Sequence, residues 1–144
     1  MVIRKLIDDV DKKILNKLIV DARASWTTLA KELGVNESTI RYRVRKLEDS
    51  GVIVGYKAKV NYVKAGLTSS LTGIDVEPEH LWSVLNELKQ KNEVVQLYLT
   101  TGDHVIIAEI IAENKELLER IHNYISSLPG VKRVCPSIVM DIYK

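Results

Sequence analysis

Between two stretches of helical periodicity the chain leaves only Gly34, Val35 and Asn36, and this short connection constrains everything around it. Before it, Ser25 can cap a short helix that carries Leu29, Ala30 and Leu33 at helical spacing. Gly34 then stands where a left-handed C-terminal residue belongs. After it, Asn36 can cap a helix that runs to about Ser50 and ends at Gly51. Two helices joined by so few residues form the helix-turn-helix pattern, and the small side chain of Ala30 suits their close approach. A further helix precedes them. Asp8 is its cap, Val10, Ile14, Leu15 and Leu18 are its apolar stripe, and Asp9 and Asp11 lie in the first turn, where the helix dipole favours negative charge. The spacing predicts a helix-turn-helix domain over residues 1–54.

The third helix divides sharply. Ile40, Val44 and Leu47 fall within a narrow arc and must face the interior, with Ser38, Tyr42 and Arg45 opposite and Thr39, Arg41 and Lys46 on the flanks. Arginine forks onto guanine, hydroxyls meet bases or phosphates, and a tyrosine reaches phosphate. These residues are therefore the expected contacts to double-stranded DNA: Ser38, Thr39, Arg41, Tyr42 and Arg45, with Lys46 on phosphate. Arg43 lies nearer the interior arc, so it either ties the helices together or reaches sideways to the DNA backbone. Charge is distributed to match. Residues 1–60 hold 13 Lys/Arg against 8 Asp/Glu, a net of +5, and residues 61–144 hold 8 against 11, a net of −3. A basic half beside an acidic half fits a chain of which only the first part meets a polyanion.

From Val52 the period changes. Val52–Val60 reads as a β-segment, either a wing or a linker strand, within a connection at residues 55–66 whose hinge is Asn61–Gly66. The remainder, residues 67–144, alternates: a strand at 67–76, a helix at 78–91 opened by Pro78, and a strand at 94–100. Then follow a strand at 104–112, a helix at 115–128 and a last strand at 134–143. This β-α-β-β-α-β order is ferredoxin-like, so the fold class is α+β with both helices on one sheet face. Val105, Ile107 and Ile111 are apolar on one side of their strand, and Ile106, Ala108 and Ile110 on the other. A strand apolar on both faces is normally buried on both, which points to a second copy of the chain over the open face, a homodimer, rather than to a merely central strand whose far side is partly wet.

Other chemistry finds little footing. No run approaches the roughly 18 apolar residues of a membrane span, so no membrane partner is expected. Residues 1–7 lack the apolar core of a secretory signal, and Cys135 is alone, which fits a reducing cytoplasm. His80, His104 and His122 show no metal-ligand spacing, and His80 and His122 are expected on exposed helix faces. Trp26 and Trp82 read as packing or interface residues, and Cys135 as a small apolar residue. Asp103 and Glu109, on a turn and a strand, make a weak carboxylate pair. No cofactor fingerprint is present. An enzyme, or the allosteric subunit of one, would need a catalytic constellation that the sequence lacks and would leave the basic helix without a role.

With both halves assembled, the chain resembles the Lrp/AsnC (feast/famine) family of transcription regulators along nearly its whole length. The first helix carries the likeness in Ile7-Asp8, Val10-Asp11 and Ile14-Leu15, and the second in Arg23, Ser25, Leu29-Ala30 and Leu33-Gly34. The third carries it in Ile40, Arg43-Val44 and Lys46-Leu47-Glu48, followed by Gly51-Val52-Ile53 and Gly55-Tyr56. The resemblance implies a sequence-specific regulator that binds palindromic DNA as a dimer, often within an octamer, and senses an amino acid or related small molecule through its second domain. It also implies an effector site between subunits near residues 101–105 and the last strand, hence Thr101, Gly102, Asp103 and His104, with Cys135 and Ser137 on one face of that strand. Two departures stand out. Asn36 replaces the family's serine cap, and both residue types cap well. In the family's Thr-Gly-any-any-Asp motif the final position here is Val105, which leaves Asp103 or His104 to replace that carboxylate, or a different ligand, or none. The last alternative is an architectural DNA binder that oligomerises without an effector.

Overall fold

The computed structural model describes residues 7–144, so the reading of residues 1–7 as free of a signal lies almost wholly outside the described part. The chain forms two compact units, residues 1–59 and 60–144.

The first unit is three helices: α1 (Asp9–Val20), α2 (Trp26–Leu33) and α3 (Glu37–Asp49). Asp8 caps α1 in a reciprocal box with Asp11: each carboxylate accepts from the other's backbone N–H, at 2.9 and 3.2 Å. Ser25 caps α2 through the Thr28 N–H, and Gly34 takes the left-handed conformation (φ 67°) that turns the chain toward α3. Asn36 occupies the cap of α3, but its side chain makes no capping bond, which corrects the expectation that it replaces a serine at little loss. Ile14, Leu29, Ala30, Ile40 and Val44 close the interior, with Trp26 packed against it. Burying each of the larger aliphatics contributes about 1.5–3 kcal/mol. Lys17 and Glu32, 2.8 Å apart, link α1 to α2.

Val52 to Val60 forms no ladder, contrary to the β-segment the sequence predicted. A strand needs a neighbouring strand, and no described segment of the single chain pairs with this one in a ladder. Val52 and Ile53 instead donate their N–H groups to the Leu47 carbonyl and close the end of α3. Asn61–Gly66, expected as a hinge, forms a bonded turn in which Ala65, Gly66 and the following Leu67 donate back to Asn61, Val63 and Tyr62.

The second unit is a four-stranded antiparallel sheet in the order β2-β3-β1-β4, where β1 is Thr68–Val76, β2 Val94–Leu99, β3 Ile106–Ala112 and β4 Val131–Ile138. Helices α4 (Leu81–Lys89) and α5 (Lys115–Ser127) cover one face. Beneath them Ile74, Ile106, Ile110, Leu88 and Ile125 are wholly buried. The expected helix at 78–91 begins as a 3-10 turn, Pro78–His80, before α4. The last strand starts three residues and ends five residues earlier than predicted. Its register on β1 runs from Val76, paired with Val131, to Ser70, paired with Ile138, and the Val139 N–H still donates to the Ser69 carbonyl at 3.0 Å.

Two histidine expectations are overturned. His122 is buried on the inner side of α5, where Nε2 meets Ser70 Oγ at 3.1 Å and Thr72 Oγ1 at 2.8 Å. His80 is half-buried against Gly130, with a buried Nδ1 that has no hydrogen-bond partner among the described residues. A helical repeat read alone places neither, because hydroxyls on the facing strand and a glycine turn make room for the rings.

Candidate nucleic-acid interface and effector loop

α3 carries its polarity split through to three dimensions. Ile40, Val44 and Leu47 are at most 3% exposed, whereas Tyr42 on the opposite side is 68% exposed. Ser38, Arg41, Arg45 and Lys46 are exposed as well, and Thr39 partly so. The glycine turn and the interior fix which side faces out, so the cationic and hydroxyl side chains form one outward ridge. Ser38, Thr39, Tyr42 and Lys46 share a shallow cleft with Asp8, Asp11 and Arg43.

The cations are not equivalent. Arg41 bonds Glu37 at 3.1 Å, one turn back, and the other oxygen of Glu37 accepts from Thr27 of α2. Arg43 takes the tie alternative: its Nη1 lies 2.5 Å from Asp8 Oδ2 and 3.0 Å from Asp11 Oδ1, which binds α3 to the start of α1. The Arg43 hydrogen bond holds the Asp8 carboxyl below its usual range.

At the far end of the sheet, residues 100–105 make a tight turn. Thr100 closes it, with its N–H donating to the Val105 carbonyl at 2.8 Å and its hydroxyl to the His104 carbonyl at 2.6 Å. Gly102 has φ 101°, a conformation that favours glycine. Thr101 and Asp103 are exposed, and Val105 packs against the interior. His104 lies flat over Gly73 on the open sheet face, where its Nδ1 bonds Asp75 at 3.1 Å. Asp75 also accepts from Arg133 Nε at 2.9 Å. His104 and then Arg133 hold the Asp75 carboxyl below its usual range, against the opposing effect of burial.

Sequence reading missed Asp75. Its signal was its register, since it sits opposite Arg133 across β1 and β4. It lines a cleft with Gly102, Asp103, Val105, Lys132 and Arg133. Cys135 and Ser137 lie on the same open face, paired with Gly73 and Leu71, but farther along β4 than this cleft.

Residues 7–48 match the family described as the AsnC-type helix-turn-helix domain, and residues 69–144 the Lrp/AsnC ligand binding domain. Over 141 residues the chain is 42% identical to the HTH-type transcriptional regulator LrpA of Pyrococcus horikoshii, covering 96% of this chain and 100% of the relative. The solved structure of the Mycobacterium tuberculosis Leucine response regulatory protein (LrpA) superposes with a TM-score of 0.77 at 26% identity, covering 96% of this chain and 95% of the other. That of E. coli AsnC does so with a TM-score of 0.65 at 28% identity, covering 94% and 93%.

Proposed function

This chain belongs to the Lrp/AsnC family of transcription regulators, and we propose from that premise how its two units divide the work. The chain is a DNA-binding regulator rather than an enzyme, since its domains are a helix-turn-helix and a regulatory ligand-binding domain. α3 enters the major groove. Arg45 reads base edges, Ser38, Thr39, Arg41 and Tyr42 contact base or sugar-phosphate, and Lys46 meets phosphate. Arg43 holds the helix in place. The single observation behind this assignment is that the buried ridge Ile40-Val44-Leu47 turns Tyr42 and its cationic neighbours outward.

The second unit pairs two copies across the open sheet face, where Leu71 and Tyr98 are each 49% exposed. A two-fold pair sets two recognition helices about one DNA turn apart on palindromic half-sites, and pairs assemble further into octamers. An amino acid or related molecule binds at the 101–105 turn between subunits, with Asp75 and Asp103 supplying the negative charge that position 105 lacks. Selecting duplexes from a random pool with the full chain tests the DNA reading: enrichment of a two-fold symmetric site supports it, and no enrichment refutes it. A thermal-shift screen against the twenty amino acids tests the effector, because a ligand of the folded state must raise its melting temperature. Val105, packed inward, favours a second reading, an architectural binder whose melting temperature no amino acid changes.

A further inference from the structure

Glu37 is the first residue of α3 and is exposed, yet both of its carboxylate oxygens are held. Oε2 accepts from Thr27 Oγ1 at 3.1 Å, from the first turn of α2. Oε1 accepts from Arg41 Nη2 at 3.1 Å, one turn further along α3. Donors on two helices fix the carboxylate on the α2-facing flank of the ridge that carries Ser38, Arg41, Tyr42 and Arg45. Thr27 and Arg41 are exposed as well, so the group is fixed at the surface and not sealed beneath it.

Local stability accounts for part of this arrangement. An acid in the first turn meets the positive end of the helix dipole, and Glu four residues before Arg is the favourable order. It does not account for the place. Between residues 37 and 46 Glu37 is the sole acid, among Arg41, Arg43, Arg45 and Lys46. Phosphates repel it, so on a surface that meets a polyanion it lowers affinity for DNA of every sequence.

The compensating partner is a base. The N-terminal residues of a recognition helix are those that contact base edges in the major groove. Guanine presents N7 and O6 there and thymine O4, all acceptors that repel a carboxylate. Adenine offers its N6 amino group with the acceptor N7 beside it, and cytosine offers the N4 amino group alone. A carboxylate has about four lone-pair sites, and each oxygen of Glu37 has accepted once, so acceptor capacity remains.

We propose that Glu37 is a specificity-determining residue, which accepts from the N4 amino group of a cytosine in each half-site and is positioned by Thr27. This rests on the reading that α3 enters the major groove. The anion gives up general affinity and gains discrimination against guanine and thymine, a repulsive element built into the reading surface.

Selection from a random duplex pool, followed by affinities for duplexes carrying each base in turn at every half-site position, tests it with the full chain. One position should favour cytosine about tenfold in the wild type. Glu37→Ala should flatten the preference at that position alone, and Glu37→Gln should move it to adenine, whose N6 and N7 an amide fits. Both variants should bind non-cognate duplexes more tightly than the wild type, because a repelled charge is gone. Thr27→Val should narrow the cytosine preference and leave the other positions as they were. Glu37→Gln keeps an acceptor for Thr27, so its melting temperature should stay near the wild-type value. Identical base preferences in the wild type and both Glu37 variants overturn the proposal and leave the DNA reading standing. A loss of affinity equal on all sequences, the mark of a purely structural tie, overturns it too. A wild-type chain that enriches no site overturns the DNA reading itself, and this proposal with it.

Discussion

The carboxylate that caps the first helix also anchors the third: Asp8 Oδ2 lies 2.5 Å from Arg43 Nη1. Asp11, its partner in the capping box, receives the same guanidinium at 3.0 Å. Arg43→Ala should therefore lower the melting temperature of the helical unit and weaken binding to every DNA sequence alike. Its signature is the salt dependence. Loss of a phosphate contact flattens the plot of log affinity against log salt by about 0.9, whereas loss of a tie leaves that slope unchanged. A flattened slope would show Arg43 on DNA.

The same pair gives a pH dependence. Asp8 has a lowered pKa in the folded state, so its contribution is complete above the usual carboxylate range and is lost as pH falls through the folded value. Melting of the helical unit should decline in acid more steeply in the wild type than in Arg43→Ala. Parallel curves would rule the linkage out.

Arg45 and Lys46 stand side by side on the exposed ridge and should fail differently. Arg45→Ala should cost about 1–3 kcal/mol on the preferred site and relax selectivity at one base pair. Lys46→Ala should weaken all sequences uniformly and reduce the salt slope by about 0.9. Filter binding across a salt series on matched and mismatched duplexes separates the two.

The first unit was legible because local signals agree there. Asp8, Ser25 and Gly34 each mark a boundary, and the period of Ile40, Val44 and Leu47 names the buried side. The second unit was legible in its order but less so in its limits, because β4 starts where Val131 pairs with Val76 of β1, a long-range register that its own residues do not mark. Partners distant in sequence escaped. Asp8 and Arg43 are 35 residues apart, and His122 and Ser70 52 apart. No periodicity reports that Ser70 and Thr72 line up beneath α5 to receive an imidazole. The 52–60 segment failed for a related reason: β-propensity without a neighbouring strand makes no ladder.

Burial pushes the His122 pKa below its usual value. The unfolded chain therefore binds a proton near pH 6.5 that the folded unit refuses, and stability present above that pH is lost as it falls toward the folded value. Melting temperature should drop between about pH 7 and pH 5. His122→Gln, which keeps an amide beside Ser70 and Thr72, should flatten that stretch of the curve. An equally steep curve in the variant would exclude His122 as its origin.

Gly73 and His104 offer the sharpest test of the open face. A β-carbon at Gly73 would collide with the His104 ring, so Gly73→Ala must push that ring off the sheet and away from Asp75. Overpacking of this kind costs about 1–3 kcal/mol. His104→Ala removes both the ring and its bond to Asp75, and it opens the space that the new methyl needs. The two substitutions should therefore be strongly non-additive. Adding Gly73→Ala to His104→Ala should cost far less than adding it to the wild type, because the collision no longer exists. Denaturant unfolding of the four proteins measures the cycle. Additive costs would mean that the ring does not rest on Gly73, and the Asp75–His104–Arg133 cluster would then lose the platform that holds it beside the 101–105 turn.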